Sequence, residues 1–223
     1  MDLQELKNNK KDVVRIHLKA GEPNRRKSKV GGTPYWPENT PYPDMLFIAQ
    51  INFEDVPRTE LLPTKGILQF FVGTDECFGL FEKEHGFKVF YHEDTDSLAD
   101  ISPVIVTDSP INAPASMTFL KDKECISYSD ASFPAIPDAL EEVLYHDDAF
   151  NGAGDKLLGY PFFTQTDPRE YDPKLQKYDT LLFQLDTSDF VMWGDCGVAN
   201  FFINKNKLKA KDFSDILYNW DCC

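Results

Sequence analysis

A chain of 223 residues with 42% apolar and 27% charged side chains is long enough to bury a core without help from disulfides or metals. Its formal charge of −14 argues against nucleic acid as a partner, because the phosphates would be repelled. No stretch approaches the ~18 consecutive apolar residues of a membrane span, and the opening Met1-Asp2-Leu3-Gln4-Glu5 has no export-signal segment, so the expected compartment is the cytoplasm.

In chain order, residues 2–11 read as a short polar helix and Asp12 to Lys19 as a half-buried strand, by its apolar–polar alternation. A basic loop over 20–30 leads into Gly31-Gly32-Thr33-Pro34-Tyr35-Trp36-Pro37, whose Gly and Pro content prescribes a rigid, irregular turn. Met45 to Phe53 is nearly continuous apolar sequence, the pattern of a strand covered on both faces. Ile67 to Val72 is another strand, followed by short candidates at Cys77–Phe81, Phe87–Tyr91 and Val104–Thr107 and a further strand within 117–129. Ile136 to Leu144 carries the best helical signal, with Pro137 near its start and acidic residues in its first turns.

The later part of the chain repeats the earlier part. Leu158-Gly159-Tyr160-Pro161-Phe162-Phe163 parallels Gly31 to Trp36. Leu181 to Asp186 parallels Phe47 to Asn52, aligning Gln184 with Gln50, and Gly197 to Ile203 parallels Gly66 to Val72. The expected architecture is therefore one α+β domain over 1–223, predominantly antiparallel β. It has internally duplicated β-rich halves (29–75 and 156–206, linked by 76–155) related by a pseudo-twofold, and few short helices.

The same segments resemble the YwqG-like family, bacterial proteins that carry a domain of unknown function. The resemblance rests on Lys29 to Gly32 with Pro34 and Trp36-Pro37, on Leu46 to Asn52 and on Lys65 to Phe71. It continues through Leu158 to Gln165 with Asp167-Pro168-Arg169, Leu181 to Asp186, Met192 to Asp195 with Gly197, and Asp212 to Cys222. It covers most of the chain from about residue 12 onward, 73–130 excepted. It implies a fold and a bacterial cytosolic origin, and no activity.

Trp193-Gly194-Asp195-Cys196-Gly197 is the most suggestive motif: a flexible turn could present an indole platform beside a carboxylate. The competing reading places Trp193 in the core and has Asp195 cap backbone N–H groups. Gln50 and Gln184 sit inside apolar runs and must be hydrogen-bonded, either to a ligand shared near the axis or to neighbouring loop backbone. Trp36 completes the set of candidate ligand-binding residues. Catalytic templates are missing: there is no G-x-S-x-G, no phosphate-cradling Gly loop and no H-E-x-x-H. His146-Asp147-Asp148 and the aspartates 94, 96 and 100 read as a helix end and a solvated loop. The histidines (17, 85, 92, 146) and the five cysteines (77, 125, 196, 222, 223) lack metal-ligand spacing, and the thiols are expected to be reduced. No catalytic residue, metal or cofactor is expected.

Charge is uneven. Residues 1–30 hold nine Lys/Arg against four Asp/Glu, and 82–148 hold four against fifteen. The function expected from these features is a non-catalytic binding module with an acidic surface, its ligand a small molecule or a protein, the latter possible partner being a basic one. The alternatives are a small-molecule hydrolase or lyase using Asp195, and a structural or regulatory subunit.

Overall fold

The computed structural model describes residues 3–82, 86–137, 140, 143–144 and 146–223. Its strands are β1 (Lys10–Ala20), β2 (Lys29–Val30), β3 (Leu46–Asn52), β4 (Ile67–Val72), β5 (Phe87–His92), β6 (Ala115–Cys125), β7 (Lys156–Leu158), β8 (Thr180–Asp186), β9 (Val198–Ile203) and β10 (Ile216–Asp221). They form one ten-stranded sheet in the order β10-β9-β8-β7-β1-β6-β2-β3-β4-β5, antiparallel at every pairing. The long pair β1–β6 lies at its centre, in unbroken register from Lys10 opposite Cys125 to Ala20 opposite Ala115. One arm of the sheet leaves β6 through β2 and ends at β5; the other leaves β1 through β7 and ends at β10.

The two arms curl toward each other into a near-barrel. Phe70 of β4 lies 4.7 Å from both Phe183 of β8 and Phe201 of β9. At the two sheet edges, Phe87 of β5 meets Tyr218 of β10 at 5.3 Å. These rings and the aliphatic residues Val14, Ile51, Leu68, Leu185 and Ile203 make one interior core. Fully burying each such side chain stabilises the fold by roughly 1.5–3 kcal/mol.

The apolar runs of β3, β4 and β9 follow from burial on both faces. On the outer face of the β3–β4 pair, Trp36, Met45, Phe47 and Phe71 form a separate cluster. On the outer face of β8–β9, Phe163, Tyr178, Leu181 and Phe202 do the same. A register shift between Phe47 and Ala49, and another between Leu181 and Phe183, inserts one residue into β3 and one into β8. Each bulge resets the alternation, so that Phe47 and Leu181 lie in the outer clusters while Ala49 and Phe183 lie in the core.

The α+β expectation is overturned: the fold is essentially all-β. Among the described residues its helices include α1 (Leu3–Asn8), α2 (Pro168–Tyr171) and α3 (Lys205–Lys209), with a 3₁₀ turn at Asp148–Phe150. Helices this short are marginal alone, because nucleation is costly and few residues repay it; here they serve as connections. The two β-rich stretches read from the sequence lie in the two arms of one sheet that runs continuously through β1–β6. Of the helix expected over Ile136 to Leu144, Leu140, Val143 and Leu144 are helical, and residues 138–139 and 141–142 lie outside the described residues. Cys77–Phe81 is a turn, not a strand: the Asp75 carboxylate accepts the N–H groups of Cys77 and Gly79 at 2.9 and 2.8 Å, and Phe78 and Gly79 take φ of 50° and 77°. Val104–Thr107 pairs with no strand; the nearby Ile111 makes one isolated bridge to Val191. No helix among the described residues is long and apolar enough to cross a membrane.

Candidate functional site

The glutamines that sequence reasoning singled out anchor the covering loops. Gln50 Oε1 accepts the N–H of Tyr35 at 2.9 Å, and Nε2 donates to the carbonyls of Arg25 and Lys27 at 2.7 and 2.8 Å. Gln184 Oε1 accepts the N–H of Phe162 at 2.8 Å, and Nε2 donates to the carbonyls of Gly152 and Gly154 at 3.0 and 2.8 Å. Both side chains are fully buried, and they belong to different arms, so the structure does not bring them together. Gln69 extends the first network: Nε2 donates to Tyr35 O at 2.6 Å and to Gln50 Oε1 at 3.1 Å. Its Oε1 then accepts from His92 Nε2 at 3.0 Å. Burial lowers the His92 pKa to about 4, so the ring is neutral at physiological pH. Trp36 packs edge-on against Tyr42, Phe71, Phe90 and His92 and donates its indole N–H to Thr40 O at 2.8 Å.

The Trp193–Gly197 turn points its side chains in opposite directions. Trp193 is fully buried, between Phe78 at 5.8 Å and Trp220 at 5.9 Å, and its Nε1 has no hydrogen-bond partner among the described residues. Asp195 and Cys196 are exposed. Gly194 takes a φ of 55°, and a Cβ there would meet Cys222 Sγ at 2.6 Å, so the turn and the end of β10 require its absence. Trp193 and Asp195 therefore do not share one surface.

Three loops meet at this end of the near-barrel. Loop 187–197 contacts loop 73–82 through Trp193 and Phe78. It contacts loop 104–112 through the hydrogen bonds of Asn112 N to Phe190 O and of Met192 N to Pro110 O, both 2.8 Å. The three loops contain Asp75, Glu76, Glu82, Asp108, Asp189 and Asp195 and no lysine, arginine or histidine; Lys83 is the next base along the chain. All six carboxylates are exposed. Phe81, Ile105 and Met192 are also exposed here, at 77%, 89% and 41%.

Sequence reasoning missed the buried charges. Lys29 of β2 and Lys156 of β7 are fully buried, and desolvation pulls the pKa of each down to about 8. Lys29 Nζ donates to the carbonyls of Pro23 and Thr33, each at 2.9 Å. Lys156 Nζ donates to Glu124 Oε1 and Oε2 at 3.0 and 3.1 Å and to Gly152 O at 2.6 Å. Glu124 also holds Arg15 at 2.8 Å and the N–H of Tyr160 at 2.6 Å. Asp155 accepts the N–H of Asp186 at 2.7 Å, and burial raises its pKa to about 7, with Asp186 adding to the rise. Asp130, Asp167 and Arg169 form a buried ionic triad. Only Lys29 and Asp167-Pro168-Arg169 gave any signal in the sequence, as parts of the family resemblance. The two terminal cysteines follow β10 without being buried in it: Cys222 is half-buried and Cys223 exposed. Among the described residues, no group of three or more His, Cys, Asp or Glu is placed to hold a metal ion.

The family model described as a domain of unknown function (DUF1963) matches residues 28–222. The chain belongs to that family. No curated protein matches it.

Proposed function

We propose that this protein is a non-catalytic interaction module that takes a basic protein partner at the loop end of the near-barrel. One observation carries the reading: the loop segments 73–82, 104–112 and 187–197, held together there, bear six exposed carboxylates and no Lys, Arg or His, and expose Phe81, Ile105 and Met192. An acidic field of this kind accelerates encounter with a basic partner. Exposed apolar side chains are a common feature of protein contact surfaces. Asp195, one of the residues chosen from sequence, lies on the proposed surface; Trp193 stiffens it from beneath. The buried glutamines and Trp36 support the reading differently, since they fix loops on a rigid scaffold from which a contact surface can be displayed. The YwqG-like character of the motifs, a bacterial source and a cytoplasmic location are part of the same proposal.

The test is binding of a labelled amphipathic peptide, rich in Lys, Arg and Leu, measured by anisotropy at low and at moderate salt. The expected result is saturable binding that weakens with salt, and that falls about tenfold or more in Asp189→Lys/Asp195→Lys, each charge reversal changing the local field by two units. Binding unchanged by the double reversal, or no binding at low salt, overturns the proposal.

A further inference from the structure

We propose a second, separate site: the hollow between the 127–133 turn and the 161–167 loop binds a small organic cation, a primary ammonium or guanidinium carried on a short apolar stem. The hollow encloses about 610 Å³, room for a ligand of that size. Tyr128, Phe133 and Phe162 line it, with Asp130, Asp167 and Glu170.

Its walls are rigid. Ala131 N donates to Asp167 Oδ2 at 3.0 Å and Phe163 N to Ser129 Oγ at 3.2 Å, tying turn to loop. Beneath them Arg169 bridges the same two segments. Its Nη2 reaches Asp130 Oδ2 at 3.1 Å, and its Nε reaches Asp167 Oδ1 at 2.9 Å. The guanidinium carbon lies 4.1 Å from the centre of the Phe202 ring. Walls that need no rearrangement on binding lower the entropic cost of taking a ligand.

The chemistry of the lining selects a donor. Arg169 is the one cation set against three carboxylates, which leaves the hollow negative. An adjoining hollow, sharing Asp130 and Glu170, adds Lys11 and Asp179, which offset each other. The rim also offers an uncommitted amide acceptor. Gln165 Nε2 is engaged by Cys222 O at 2.7 Å, leaving its Oε1. Aromatic walls add attraction for the cation and cover for its stem. The net negative charge of the lining disfavours a carboxylate or phosphate ligand.

The test uses agmatine as the probe and N-butylurea as a neutral control, followed by heteronuclear NMR and by thermal shift of the full chain. Agmatine is expected to produce saturable shifts at Phe162, Phe163 and Glu170, and N-butylurea to produce none. Glu170→Gln removes an exposed charge that holds no loop and should weaken agmatine about fivefold. Phe162→Ala should weaken it further, and circular dichroism of that variant establishes that it folds. No saturable shift in the wild type, or equal affinity in both variants, overturns the proposal. So does loss of agmatine binding in Asp189→Lys/Asp195→Lys with retention in Glu170→Gln, which would assign the cation to the loop end instead.

Discussion

The two arms of the sheet bury a lysine at matching places and treat it differently. Lys29 is paired across the strands with Gln50, and Lys156 with Gln184. The Lys29 ammonium is held by two carbonyls. The nearest carboxylate on that side, Glu22, is exposed and caps the N–H of Thr33 at 2.6 Å. The Lys156 ammonium is held by Glu124, which is buried and also caps Tyr160. Geometry and burial are alike; the counterion is in solvent in one arm and in the interior in the other. A lysine can thus be buried either with neutral acceptors or with an ion pair, and the two choices fail differently when broken.

The largest expected effect follows from that contrast. Glu124→Gln leaves Lys156 and Arg15 buried or half-buried without their carboxylate, and should cost about 3–5 kcal/mol in urea denaturation. Glu22→Gln leaves Lys29 with both carbonyls and should cost no more than about 1 kcal/mol. Equal losses would show that Glu22 neutralises Lys29 as fully as Glu124 does Lys156, and would erase the distinction between the arms.

A smaller contrast concerns the amide networks. Gln69 uses both ends of its amide, through Tyr35, Gln50 and His92. Asn200, at the corresponding place opposite Gln184, uses only Nδ2. Gln69→Leu strands several buried groups and should cost about 2–3 kcal/mol; Asn200→Leu frees one carbonyl and relieves an orphan acceptor, and should cost about 1 kcal/mol or less. Thermal denaturation of the two variants checks the order. An Asn200 variant as damaging as the Gln69 variant would mean that Oδ1 is bonded in solution.

Much of this was legible in the chain, and the failures are physically informative. Gln50 and Gln184 stood out because an amide within an apolar run must find partners. The partners, loop carbonyls far along the chain, could not be read from local pattern. Lys29 stands out only within a motif of the family resemblance, and Lys156 and Glu124 not at all. Each lies beside polar neighbours in sequence, as in Lys121-Asp122-Lys123-Glu124, and a lone charge reads as solvent-exposed until tertiary structure buries it. The strand pattern of β3, β4, β8 and β9 was clear, because burial on both faces makes continuous apolar runs. The all-β class was missed for a related reason: helical patterns of a few residues were weighed as elements, when the sheet had already supplied the core. The sequence leaves Trp193 and Asp195, two apart, either as one site or with the indole in the core, and the core placement of Trp193 is the one observed. Gly194 lets the chain turn between them, and the turn sends the indole inward and the carboxylate outward.

The smallest effect expected is on the pH dependence of stability, where one titrating group in each arm acts with opposite sign. His92, in the arm that ends at β5, has its pKa lowered from 6.5 to about 4. Between those values the unfolded chain binds a proton and the native state does not, so stability is lost as pH falls through this window. Asp155, beside β7 in the other arm, has its pKa raised from 3.8 to about 7. Over that range the native state holds a proton that the unfolded chain releases, so stability is lost as pH rises. The slopes largely cancel in the wild type, and each is at most about 1.36 kcal/mol per pH unit, less for a half-exposed group. Urea midpoints measured from pH 4 to 7 separate them. His92→Gln should leave a protein that weakens as pH rises across the window; Asp155→Asn should leave one that weakens as pH falls. Were both variants to follow the wild-type curve, neither group would be buried enough to couple folding to protons. The arms would then differ in the lysine counterion and amide networks alone.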